Sequence, residues 1–266
     1  MGLRSFLTMV LFSLGTFVLP ESSRGLHQPK PDDVTFLRFK KVDRVEVVKS
    51  RGLIDLDKSY TIEAWVRWNE SNLKWVYLAG DEAWKDMSGE VPVTHSSGWV
   101  LRVSSVEGAD KRRIDFTVAV AKGKAEWLTL LSPPRRCPDD QRWHHVAVCK
   151  TAQSISVYWN GILAAQKPCV GIEFSATPTN FFLGVRKHSA ADTPPERQFD
   201  GDFRAFRVSD KPLYFGKFKP PEVFKRDDST LVLLDFSKGE GKQLEDISEK
   251  GHDGLIVGPK WVKPAP

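Results

Sequence analysis

The chain has 266 residues, of which 41% are hydrophobic and 11% aromatic, including nine Trp and sixteen Phe. That composition excludes a disordered or low-complexity protein and allows one large or two small folded domains. The net charge of +5 comes from interspersed acids and bases, with basic runs no longer than Lys111-Arg112-Arg113. A nucleic-acid binder concentrates its charge on one face, so that class is set aside.

In chain order, the first segment is MGLRSFLTMVLFSLGTFVLPESSRG. A basic start at Arg4 precedes an apolar run from Phe6 to Leu19. That run is short of the ~20 residues a bilayer span needs. Ser23 and Gly25 then supply a small-residue site. The expectation is a secretory signal peptide over residues 1–25, with an uncleaved anchor as the competing reading. Its removal leaves a charge of about +4 and no further transmembrane segment, hence a secreted, periplasmic or cell-surface protein.

Short alternating runs separated by turn residues fill the remainder, and helical periodicity is nearly absent. Strands are predicted over 35–39, 44–48, 60–68, 74–79, 98–104, 113–121, 126–131, 144–151, 154–159, 162–166, 180–185, 201–209, 231–235 and 254–257. In YTIEAWVRW, Ile62, Ala64, Val66 and Trp68 share an apolar face by the two-residue period. Thr61, Glu63, Trp65 and Arg67 share the other, which reads as solvated or ligand-facing.

The stretch RWHHVAVCKTAQSISVYWNG, residues 142–161, carries the strongest suggestion of chemistry. Alternation sends His144 and His145 to opposite faces, so one strand cannot offer both to one metal. His145 and Cys149 share a face but stand ~13 Å apart along a strand, too far for a Cys/His catalytic pair. Asn160-Gly161 between two apolar runs predicts a hairpin turn. Three cysteines, Cys137, Cys149 and Cys169, allow one disulfide, of which Cys137–Cys169 is the preferred pairing because both flank a strand in loop-like sequence. Three reduced thiols are the equal alternative.

YTIEAWVRW, RWHHVAVCK, ISVYWNG, NFFLGVR and FDGDFRAFRVSDKPLY, with FLRFKKVDRVEVV before them, resemble the laminin-G-like, concanavalin A-like jelly-roll family over residues 33–215. The resemblance implies an all-β, two-sheet antiparallel sandwich. The tail LVLLDFSKGEGKQLEDISEKGHDGLIVGPKWV resembles a segment that often precedes such domains. Residues 216–266 are therefore expected to extend the same sandwich, with a small second module as the runner-up. Relatives bind calcium through loop carboxylates, and Asp81, Glu82, Asp200 and Asp202 are the candidates here. Arg204 and Ala205, however, stand where the family has an acidic pair. The fold also hosts glycoside hydrolases with a Glu-x-Asp-x-x-Glu strand, and this sequence has no such string.

The expected function is an exported, non-enzymatic module that recognises carbohydrate or a surface or extracellular protein. A glycan hydrolase or lyase with an unfamiliar site, or a structural envelope module, is the alternative. Glu63, Arg67, Trp84, His95 and Arg102 are the candidate ligand-binding residues. Trp84 is preferred as the stacking platform over Trp75 and Trp127, which read as caps on the core. No cofactor other than calcium is expected.

Overall fold

The computed structural model describes residues 34–40, 42–68, 75–82, 96–106, 111–121, 126–136, 142–177, 179–185 and 198–264. The described residues form two antiparallel sheets in a jelly-roll sandwich and contain no helix. The first sheet runs β11 (Ile162–Pro168), β10 (Ser154–Trp159), β9 (His144–Lys150), β3 (Tyr60–Trp68), β13 (Gly201–Ser209), β1 (Phe36–Phe39) and β17 (Lys260–Val262), with β14 (Thr230–Leu234) also on β13. The second runs β15 (Gln243–Leu244), β16 (Gly254–Val257), β2 (Arg44–Val47), β12 (Phe182–Leu183), β4 (Val76–Gly80), β5 (Trp99–Ser105), β6 (Lys111–Ala119) and β7 (Trp127–Leu131), with β8 (Arg135–Arg136) on β6.

Alternation decides which side chains meet between the sheets. Ile62, Ala64, Val66 and Trp68 of β3 are buried there with Val146 and Val148 of β9 and Ile155, Val157 and Trp159 of β10. Leu101, Val103, Ile114, Phe116 and Val118 of the second sheet complete the layer. Each buried Val, Leu, Ile or Phe contributes roughly 1.5–3 kcal/mol, which makes this layer the main stabilising element.

The first two and the last two described strands pair with each other, one pair in each sheet. β1 pairs with β17 (Leu37 opposite Trp261), and β2 pairs with β16 (Val45 opposite Ile256). The β1–β2 and β16–β17 connections thus cross between the sheets side by side. Their turns touch: Gly258 adopts φ 99°, and a Cβ there would collide with the Asp43 carboxylate.

Strand β13 changes neighbour along its length. Gly201, Asp202 and Phe203 pair with β1, while Phe206 to Ser209 pair with β14. Between these halves the register with β3 shifts, since Phe203 lies opposite Val66 and Ala205 opposite Trp65. Arg204 is the extra residue of this bulge. Phe203 and Phe206 are both fully buried although three positions apart, which a strict two-residue period forbids.

After β13 the chain turns back as a strap, residues 210–229, across the outer face of the first sheet. The Trp65 indole donates to the Pro221 carbonyl at 2.9 Å, the Phe218 amide donates to Gly161 at 2.9 Å, and the Tyr158 hydroxyl donates to the Tyr214 carbonyl at 3.2 Å. The strap seats on the hairpin turn made by Asn160 (φ 51°) and Gly161 (φ 74°).

Candidate functional site

The outer face of the first sheet holds the polar side chains of β3, and the strap closes over them. Glu63 is fully buried and accepts from Arg207 Nε at 2.7 Å, from the Tyr214 hydroxyl at 2.8 Å and from His145 Nε2 at 2.9 Å. Burial alone would raise its pKa, but His145, Arg207 and Tyr214 outweigh that effect and hold it below the ordinary value. His145 packs edge-on against Trp65, Tyr214, Phe218 and Phe224. The face that reads as solvated or ligand-facing in the sequence is therefore sealed at Glu63, whose carboxylate is fully partnered, while the buried His145 Nδ1 has no hydrogen-bond partner among the described residues. The covering segment lies far along the chain, where strand periodicity carries no information about it.

His144 points the other way, stacked on Trp68 at 4.3 Å and accepting from the Trp159 indole at 3.2 Å. Cys149 lies 3.3 Å from the Thr61 hydroxyl, and burial pushes its thiol up to about 11, away from the nucleophilic thiolate. Of the preferred Cys137–Cys169 pairing, only Cys169 lies among the described residues. Cys169 is a buried free thiol that donates to the Thr151 carbonyl at 3.7 Å, and Cys137 lies outside the described residues.

Arg67 is also buried, with Asp202 accepting from its Nε at 2.8 Å; Arg38 donates to the other carboxylate oxygen at 3.0 Å. Asp200 accepts from Lys40 at 3.3 Å, and Asp81 accepts from the Trp99 amide at 2.9 Å. These partners are cations and backbone donors. No group of three or more His, Cys, Asp or Glu side chains able to hold a metal gathers among the described residues. Arg102, by contrast, belongs to the second sheet, so it does not share a cleft with Glu63 and Arg67. Trp84 and His95 lie outside the described residues.

Arg102 organises the outer face of the second sheet. It donates to Asp115 at 2.8 Å and to the Thr117 hydroxyl at 2.8 Å, and the Thr117 and Thr129 hydroxyl oxygens lie 3.2 Å apart. This ladder crosses β5, β6 and β7. Burial keeps the Asp115 carboxyl above its ordinary pKa in spite of Arg102, and the nearby charge of Glu82 adds to the rise. The Arg102 guanidinium is itself held more firmly charged, because Asp115 and Glu82 outweigh its lost hydration.

Above the ladder stands Trp75, whose ring centroid lies 5.1 Å from the Arg102 guanidinium carbon. Trp75 is 39% exposed, so it does not cap the core as its sequence context suggests. Its backbone adopts φ 55°, a left-handed conformation uncommon for a bulky side chain. Such strain concentrates where a side chain must be presented in one orientation. Arg102 occupies one face of the indole, and the exposure leaves apolar surface for a flat partner.

Comparison with known proteins places this architecture. A structure of a candidate carbohydrate binding protein from Bacteroides ovatus superposes with a TM-score of 0.60 at 16% identity, over 88% of this chain and 61% of that one. The chain thus spans about three fifths of that protein. The Ruminococcus gnavus IT-sialidase CBM40 aligns at TM-score 0.49 and 15% identity, over 68% of this chain and 93% of its own. A heptameric SAP-like pentraxin from Limulus polyphemus aligns at 0.47 and 12%, over 69% and 79%. At these identities the likeness is one of fold. A search of curated proteins finds no match. The Laminin_G_3 family model, described as the concanavalin A-like lectin/glucanases superfamily, matches residues 41–214, and the chain belongs to that family.

Proposed function

We propose that this protein is an exported, non-catalytic carbohydrate-binding module, in which residues 1–25 direct export and residues 216–266 complete a single sandwich domain with the jelly roll. The observation that carries the reading is Trp75. It is a half-exposed indole in a left-handed backbone conformation, backed by a buried Arg102 that Asp115 and Thr117 hold in place. Sugars present C–H faces to aromatic rings, and a ring fixed in advance binds at a lower entropic cost.

Extracellular placement agrees with the family, and no helix among the described residues is long and apolar enough to cross a membrane. Among the described carboxylates, Glu63 is committed to the strap and Asp202 to two arginines, so neither is placed to act as an acid or base. The Bacteroides ovatus protein, described as a candidate carbohydrate binder, supports the class of ligand without naming one.

A glycan array run with wild type and Trp75→Ala tests the reading. Wild type is expected to retain a defined glycan class, and Trp75→Ala to lose it while melting at a similar temperature. Equal retention by both proteins removes Trp75 as the platform. A blank array for both shifts the reading to a surface-protein partner.

A further inference from the structure

Three arginines and three aromatic rings interleave on the outer side of the first sheet. Arg38 lies 5.3 Å from the Phe36 centroid, and Arg67 lies 4.8 Å from both Phe36 and Trp143. Arg204 follows, 5.1 Å from Trp143 and 4.3 Å from Trp65. The fully buried Asp202 binds both Arg38 and Arg67. Arg204, the bulge residue, is not among its partners, and its buried Nε has no hydrogen-bond partner among the described residues.

The surroundings of Arg204 form a groove rather than a packed wall. β13 changes neighbour at the bulge, so the start of β1 and the end of β14 leave a gap of about 360 Å³ there. Thr35, Arg204, Glu222, Phe224, Leu234 and Ser237 are among its lining residues. The volume is at the small end for ligand pockets. Bulges characteristically re-aim one side chain, and this one sets a guanidinium at the groove. Its platform is firm, because the Trp65 indole is hydrogen-bonded to the Pro221 carbonyl.

We propose that this groove is a second binding site, for the carboxylate of a sugar acid. The guanidinium fork matches a carboxylate in two parallel hydrogen bonds, and stacking on two indoles fixes the fork beforehand. Glu222, exposed and close enough for its charge to act on Arg204, accepts from sugar hydroxyls. Thr35 and Ser237 offer hydroxyls of their own. A neutral sugar leaves the Arg204 fork unfilled, and a bare anion leaves Glu222 facing it with no donor between. Burial draws the Arg204 pKa down to about 10, so the cation persists at neutral pH. The site is independent of Trp75, which belongs to the other sheet's side of the sandwich.

The test titrates the intact chain with sodium glucuronate, glucose and sodium acetate, following the indole N–H resonances of Trp65 and Trp143. Glucuronate is expected to shift both with a saturable curve, and glucose and acetate to bind at least about tenfold more weakly, as the loss of a charge-assisted pair implies. Arg204→Gln should weaken glucuronate about tenfold or more, Arg204→Lys should restore part of the loss, and Trp75→Ala should leave the curve unchanged. Equal response to glucose overturns the carboxylate, and equal response to acetate overturns the sugar. Full affinity in Arg204→Gln overturns the site. Thermal melts of Arg204→Lys, which keeps the charge, separate loss of binding from loss of fold. Failure here leaves the Trp75 reading standing, and failure of the Trp75 array leaves this site standing.

Discussion

The outer faces of the two sheets use the same kinds of side chain to opposite effect. On the first sheet, Glu63 has three donors, Arg207, Tyr214 and His145, and its pKa is held below the ordinary value. On the second, Asp115 has Arg102 and Thr117 and sits near Glu82, and its pKa stays above the ordinary value. Both carboxylates are fully buried. The number of donors, rather than burial, separates them: a lost hydration shell is replaced at Glu63 and only partly replaced at Asp115. The first face is thus cemented under its strap. The second keeps a carboxyl raised above its ordinary pKa beneath the exposed indole proposed as the platform.

The largest expected effect comes from breaking the cemented side. Glu63→Gln leaves Arg207 buried without its counter-charge and should cost about 3–5 kcal/mol in urea unfolding. Asp115→Asn should cost less, about 1–3 kcal/mol, because the native state already holds that charge at a penalty. If the two variants lose the same stability, the contrast between the faces fails.

Next comes the seat of the strap. Gly161→Val places a β-branched side chain at φ 74° and against the Phe218 carbonyl. The loss should exceed the roughly 1–2 kcal/mol of the backbone conformation alone, and proteolysis within residues 210–229 should accelerate.

The pH dependence sharpens the same contrast. Glu63, held low, contributes stability that is complete above the unfolded-chain pKa of about 4.3 and is lost as pH falls through its lower native value. Asp115, held high, has the opposite sign: stability declines as pH rises from the unfolded value of about 3.9 through the raised native one. Unfolding free energies of wild type and Asp115→Asn, compared between pH 3 and 7, should show that the variant lacks this decline. A parallel pair of curves would contradict the raised pKa.

The smallest effect is at the platform. Trp75→Gly should be about 1 kcal/mol more stable than Trp75→Ala, since only glycine tolerates φ 55° without strain. Both variants should lose glycan retention, and chelator should change neither stability nor retention. Retention that disappears under chelator would assign a metal-binding role to the carboxylates at Asp81, Glu82, Asp200 or Asp202.

Much of the fold was legible in the residues. Alternation in YTIEAWVRW correctly separates Ile62, Ala64, Val66 and Trp68 from Glu63 and Arg67, and Asn160-Gly161 makes the turn expected of that pair. The bulge was also legible in principle, because Phe203 and Phe206 demand the core at a spacing of three. Site residues were less so. The pattern suggests accessible Glu63 and Arg67, which are buried, and a core-capping Trp75, which is half exposed.

Residue order alone sets the two faces of each strand, since the backbone pleat gives side chains a period that no partner can alter. What lies over each face follows from packing between distant segments. The strap that buries Glu63 begins well over a hundred residues after it, and Arg38, Arg67 and Asp202 meet from three separate strands. Exposure and pairing of charges depend on such non-local packing, and local pattern is silent about it.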